Sequence, residues 1–202
     1  MNEEFIDSTI IENNDEKKLI FNWINPLIKF KTKLLYRCSI DGDSSKTFHE
    51  KCDGKGPTIT LIKTNDGFRF GGYASISWNN KSCFQKDKNA FIFSLDMEKK
   101  YDVTDPEKSI QCSMFWGPYF GEGGAICVPD NFLQEKNAFY QWPSSYDISE
   151  KDELTFGQEH NINISKYEVY QIILENNGNN NEHEIDIEHN MEELKPRPDE
   201  EE

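Results

Sequence analysis

Three closely spaced segments constrain the fold more than anything else in the chain. They are L-L-Y-R-C-S-I-D-G over 34–42, H-E-K-C-D-G-K-G-P-T-I-T-L-I-K over 49–63, and F-G-G-Y-A-S-I-S-W over 70–78. Together they read as strand, short helix, strand, turn, strand. Ser44 can cap the short helix, because a hydroxyl accepts from the orphan amides of a first turn. Phe48 and Cys52 lie four apart and share the face that would turn inward. Gly54 falls where a helix end needs a left-handed residue. Pro57 opens the next strand, where its missing amide does no harm. Asn65-Asp66-Gly67 predicts a hairpin, since Asp-Gly accepts positive φ at low cost. Gly71 and Gly72 inside the return strand predict a bulge or a close backbone approach.

Around this unit the pattern is mostly strands. Leu19, Ile20, Trp23, Ile24, Leu27 and Ile28 recur at helical spacing, and Pro26 predicts an end or bend near Asn25. That helix is expected to cap a sheet. Residues 79–89 read as a polar loop. Asn89 to Leu95 is a continuous apolar run, which predicts a strand covered on both faces. Lys99–Val103 continues the strand pattern, and Ile110, Cys112, Met114 and Trp116 alternate as one strand that Gly117-Pro118 should break. G-E-G-G at 121–124 reads as a turn into the strand A-I-C-V. Residues 129–153 read as loop, anchored by Phe132, Phe139, Tyr140, Trp142 and Tyr146, and Lys166 to Leu174 reads as a closing strand. About eight short strands without a βαβ rhythm predict an α+β, mainly β fold. Its expected form is a two-sheet antiparallel β-sandwich with short flanking helices.

The net charge of -15 is concentrated at the ends. Residues 1–16 hold six acids and no base, and 175–202 hold eleven acids against Lys195 and Arg197, which leaves 20 acids and 20 bases between. The expected organisation is an acidic flexible N-terminus over 1–16, a folded domain over 17–174 and an acidic disordered tail over 175–202. A neutral domain with acidic ends lacks the basic footprint of nucleic-acid binding. It suits a basic surface on a protein partner. The five cysteines, Cys38, Cys52, Cys83, Cys112 and Cys127, contain no C-x-x-C pair. With no apolar segment of membrane-spanning length and no signal-like start, they read as reduced thiols of an intracellular, cytoplasmic protein, a place peripheral to a membrane or cytoskeletal assembly staying open.

Catalytic patterns are scarce. Gly54-Lys55-Gly56 and Gly121-Glu122-Gly123-Gly124 lack the spacing and the Lys-Ser/Thr ending of a phosphate loop. Asp41-Gly42-Asp43 starts like a calcium loop, but the sixth and twelfth positions are Lys46 and Cys52 where Gly and Glu are required. His183-Glu184 and Glu188-His189 lack the spacing of a zinc helix. His49 and Cys52 share a helix face and form a redox candidate, since a Cys–His pair can make an activated thiolate. The simpler reading packs Cys52 inward with His49 at the edge. No metal, no cofactor and no enzymatic activity are expected.

The segments over 34–78, with N-A-F-I-F-S-L (89–95), G-P-Y-F-G-E-G-G-A-I-C-V (117–128) and Y-E-V-Y-Q-I (167–172), resemble the TLDc domain, over roughly residues 19–174. The resemblance marks structural signature positions. They are Asp41 and Gly42; Cys52, Asp53, Gly54, Gly56 and Pro57; Gly71, Gly72 and Trp78; Phe91; Gly117, Pro118 and Gly121; and Glu168. The chain departs from the family pattern at Val128-Pro129-Asp130, where a longer strand is usual. The resemblance implies a β-sandwich with flanking helices, no transferable catalytic residues, and a link to oxidative-stress resistance. It further implies a protein-interaction module that docks on a large assembly, the vacuolar-type proton-pumping ATPase first. A structural component of another assembly, cytoskeletal or ciliary, is the alternative, and thiol-based antioxidant activity on Cys52 and His49 is a second.

Overall fold

The continuous apolar stretches of the central strands require cover on both sides, and the structure supplies it in three layers. The structure is a computed structural model that describes residues 5–135, 145–148 and 163–175. Among these residues, ten strands form two antiparallel sheets. The larger has the order β1 (Phe30–Arg37), β10 (Ile164–Leu174), β2 (Thr58–Thr64), β3 (Arg69–Ala74), β5 (Phe91–Ser94), β6 (Lys99–Asp102). The smaller has the order β4 (Cys83–Gln85), β7 (Ile110–Cys112), β8 (Trp116–Phe120), β9 (Ile126–Pro129). The mainly β, two-sheet architecture with short helices is as the sequence predicts.

Strand alternation divides the apolar residues between two cores. Tyr36, Ile62, Phe70, Ile92 and Tyr101 face the smaller sheet and meet Ile110, Phe120, Ile126 and Val128. The opposite face of the larger sheet, with Phe30, Ile59, Leu61, Phe93 and Tyr170, lies under α1 (Asn14–Ile24) and the residues before it. Thr60 belongs to the buried larger sheet, and its hydroxyl has no hydrogen-bond partner. α1 starts where Asn13 Oδ1 accepts from the Asp15 and Glu16 amides, and it ends at Asn25, ahead of Pro26.

The acidic start of the chain departs from expectation over residues 5–13. Phe5 and Ile10 are buried in the outer core. Glu12 and Glu16 are not merely solvated: both reach Arg69, at 3.4 and 2.8 Å, and Arg69 also holds Asp96. Two apolar anchors and a largely buried guanidinium therefore turn this segment into a strap across the sheet.

Three other readings change. Residues 79–89 contain β4. Residues 110–116 are not one strand, because a turn closed by the Trp116 amide donating to the Ser113 carbonyl separates β7 from β8. Gly117-Pro118 does not break a strand. Both lie inside β8, where the register with β9 shifts between Trp116 and Tyr119, and an irregular ladder tolerates a residue without an amide. The glycine pair in β3 serves close approach and not a bulge, since the β2–β3 register is continuous. A Cβ on Gly72 would lie 2.6 Å from the Phe120 ring, and one on Gly71 would run into the Thr60 carbonyl. Phe139, Tyr140, Trp142, His183, His189 and the acidic tail after Glu175 lie outside the described residues, whereas Phe132 and Tyr146 are buried as expected of anchors.

Candidate functional site

Most of the signature positions converge on one end of the sandwich, around α2 (Cys38–Asp41) and α3 (Ser45–Cys52). Asp41 accepts from the Arg37 amide at 2.8 Å and pairs with Lys51 at 2.8 Å. Gly42 takes φ +87°, and its carbonyl accepts from the Tyr36 hydroxyl. Ser44 precedes α3 but makes no side-chain cap. The cap comes from Asp130, whose carboxylate accepts from the Ser45 amide at 2.7 Å. Asp130, directly after β9, thus joins that strand to α3.

His49 and Cys52 do share the buried side of α3, but they do different things. His49 Nε2 lies 2.8 Å from the Ser113 carbonyl and 3.0 Å from that of Trp116, while Nδ1 lies 2.8 Å from Asp53 Oδ1. Both ring nitrogens are thus engaged by oxygen, and neither is left to activate Cys52. Cys52 is buried among aromatic residues, and desolvation pushes its thiol well up. Burial also raises Cys38 and Cys127, so these sulfurs stay protonated and inert. Of the pair expected as a redox candidate, His49 is a brace that ties α3 to the β7–β8 turn, and Cys52 packs in the core.

The segment after α3 is fixed just as firmly. Asp53 bridges to Trp78, and the Gly54 amide donates to the Trp78 carbonyl. Gly54 is at φ +69°, and a Cβ on Gly56 would lie 2.5 Å from the Ile76 carbonyl oxygen. Trp78 is buried and donates from Nε1 to Thr58 Oγ1 at 2.9 Å. The Pro57 carbonyl accepts from the Ile172 amide, and Phe91 stacks on Tyr73. Gly117 packs against Val128, and Gly121 takes φ +80° in the turn before β9.

Glu168 serves the other face. It is fully buried and accepts from Ser8 Oγ, the Thr9 amide and hydroxyl, the Tyr170 hydroxyl and Arg37 Nε, at 2.7 to 3.1 Å. Arg37 in turn donates to the Asp7 carbonyl. The closing strand's carboxylate therefore pins the N-terminal strap. Asp87, which the sequence reading did not single out, is a second buried carboxylate. It accepts from the Ser75, Ile76 and Asn89 amides and the Ser75 hydroxyl, and so orders the loop beside β4.

Beside the charged outer side of α3, this framework also presents apolar side chains to solvent. Phe115 is 66% exposed and Met114 53% exposed at the β7–β8 turn. Ser45 Oγ donates to the Met114 carbonyl, Leu133 N donates to Asp43, and Asn131 N donates to the Asp43 carbonyl. These bonds bring the backbone segments that carry exposed Met114, Phe115 and Leu133 to the start of α3, at a common rim, and exposed Ile40 is on neighbouring α2. A rigid backbone bearing uncovered large apolar side chains is suited to contact another protein. Among the described residues, no three His, Cys, Asp or Glu side chains gather as a metal site. Nor is any helix there long and apolar enough to cross a membrane.

The sequence matches the family model of the TLDc domain over residues 5–173. The chain belongs to the TLDc domain family. The matched span begins at the buried Phe5, so it includes the strap and agrees with the packing. MTOR-associated protein MEAK7 of Gallus gallus is 38% identical over 68 residues, which is 34% of this chain and 14% of that protein. The Xenopus laevis protein of the same name is also 38% identical over 68 residues, 34% of this chain and 15% of its own. The Homo sapiens protein is 34% identical over 62 residues, 31% of this chain and 14% of its own. The aligned stretch thus spans about a seventh of these relatives.

Proposed function

We propose that this TLDc protein is a non-catalytic interaction module that docks on a large protein assembly. The observation that carries the reading is the braced rim of Met114, Phe115 and Leu133, held in place by hydrogen bonds from α3 and the segment after β9. Family membership supports a protein-interaction or regulatory role. The vacuolar-type proton-pumping ATPase is the partner the resemblance puts first, with oxidative-stress resistance as the physiological setting. The acidic residues of 175–202 add attraction to a basic partner surface and raise the association rate more than the affinity.

A second reading follows from the relatives, whose name states an association with MTOR. In that reading the docked assembly is one associated with MTOR, as the relatives' name states, and the module has a regulatory role in it. Affinity purification from cell extract, with and without residues 176–202, separates the two. Recovery of pump subunits supports the first reading, recovery of MTOR supports the second, and recovery of neither defeats both. If the acidic segment steers association, its removal weakens capture at low salt more than at high salt.

A further inference from the structure

β4 is the outermost strand of the smaller sheet, and its register with β7 sets Cys83 directly opposite Cys112. Residues opposite one another on antiparallel strands carry their Cβ atoms on the same face, with Cα atoms about 4.5–5.5 Å apart. A disulfide spans Cα separations of about 4.4–6.8 Å, so this backbone already has the reach of one. The two thiols differ in access. Cys83 is exposed, whereas Cys112 is buried in the core between the sheets. Gln85, two residues on, donates from Nε2 to Cys83 Sγ at 3.0 Å. The Asn79 amide donates to the Cys112 sulfur, and burial raises that thiol to about 11. The remaining cysteines have no such partner: Cys38 and Cys52 are helical, and Cys127 faces Tyr119.

We propose that Cys83 and Cys112 form a modification site, a reversible cross-strand disulfide made by a hydroperoxide. The exposed Cys83 thiolate attacks one peroxide oxygen, the O–O bond breaks, and hydroxide or alkoxide leaves and is protonated. Cys83 becomes a sulfenic acid, oxidised by two electrons. The Cys112 sulfur then attacks the Cys83 sulfur, the S–O bond breaks, and the departing hydroxide takes the Cys112 proton to leave as water. Two thiols and one hydrogen peroxide give one disulfide and two waters. A dithiol reductant reverses the reaction by exchange. Cys112 is a slow attacker in its buried state, and its placement opposite Cys83 compensates through proximity. The bond staples a three-residue edge strand to β7, two residues before Met114, and so stiffens the approach to the exposed rim.

The site is independent of which partner docks, so its test needs none. The reduced full chain is treated with hydrogen peroxide, alkylated, and examined by intact mass and non-reducing peptide mapping. The expected result is loss of two hydrogens, joint disappearance of the two alkylatable thiols, and one cross-linked peptide pair containing Cys83 and Cys112, all undone by dithiothreitol. Cys83→Ser, a change at an exposed position, abolishes the cross-link while the circular dichroism is unchanged. The proposal is overturned if Cys83 ends as a sulfinic acid or an intermolecular disulfide while Cys112 still alkylates after unfolding. It is equally overturned if Cys83→Ser leaves the loss of two hydrogens intact.

Discussion

Single positions in the larger sheet show which side chains the packing permits. The Thr60 hydroxyl is buried without a partner, so Thr60→Val removes a desolvated polar group and should raise stability by about 1 kcal/mol in urea unfolding. Gly71→Ala should do the reverse. Its Cβ meets the Thr60 carbonyl, which belongs to the β2 backbone and cannot move aside cheaply. A loss of about 3 kcal/mol is expected, within the upper range for overpacking. Gly67→Ala at φ +94° in the open hairpin turn should cost only about 1 kcal/mol, so the two variants separate steric from conformational need. Buried thiols and phenols also predict how stability responds to alkali. Burial moves Cys112 from about 9 to about 11, and Tyr170 is raised to about 12. A folded-state value above the unfolded one means that unfolding releases a proton. This stabilisation is complete below pH 9 and is lost as the pH rises to about 11 for Cys112. Cys112 alone accounts for about 3 kcal/mol. Urea midpoints measured from pH 8 to 11 should fall, and should fall less steeply in Cys112→Ala.

Among the elements, the strap over residues 5–13 is pinned at Ser8 and Thr9 by one carboxylate. Glu168→Gln keeps the shape but removes the charge that Arg37 needs, at a cost of about 3 kcal/mol for a broken buried pair. Amides of residues 8–10 should exchange faster in that variant, while those of β7 and β8 keep their protection. Equal loosening in both places would mean that Glu168 supports the whole fold and not the strap. The same segment shows where sequence reading runs out. The β2–β3 hairpin is legible because apolar alternation and Asp66-Gly67 agree with each other. The strap is not, because its acids mark it as solvated while its two buried apolar side chains, Phe5 and Ile10, sit too far apart to form a periodic pattern. β4 is hidden by its three residues and polar neighbours, and its pairing comes from β7, far along the chain. The turn at 113–116 is hidden for another reason: the alternation of Ile110, Cys112, Met114 and Trp116 runs straight through it and would set Met114 on the buried face, whereas the turn leaves it exposed. In the site, the helix face of His49 and Cys52 is legible, but the carbonyls that occupy His49 come from Ser113 and Trp116, which no local pattern connects to α3. The same is true of Asp130 as the cap of α3.

As a whole, the molecule invests its buried polar groups in bracing, and the rim by α3 is one of the places where it leaves apolar residues exposed. His49, Asp130 and Glu168, three of its main braces, lie on different elements and serve the frame. Met114 and Phe115 are not part of that frame and contribute little to folding. Replacing both by Ser should leave thermal unfolding within about 0.5 kcal/mol of the parent, as for surface changes generally. Loss of an interfacial aromatic anchor typically costs 2 kcal/mol or more of binding, which is roughly thirtyfold in affinity. The decisive comparison is therefore quantitative capture of the vacuolar-type ATPase by the parent chain and by the Met114→Ser, Phe115→Ser double variant, matched for unfolding temperature. The account predicts that the parent recovers pump subunits and that the double variant loses at least about nine-tenths of them. Equal recovery by both chains, or no recovery by the parent, would contradict it.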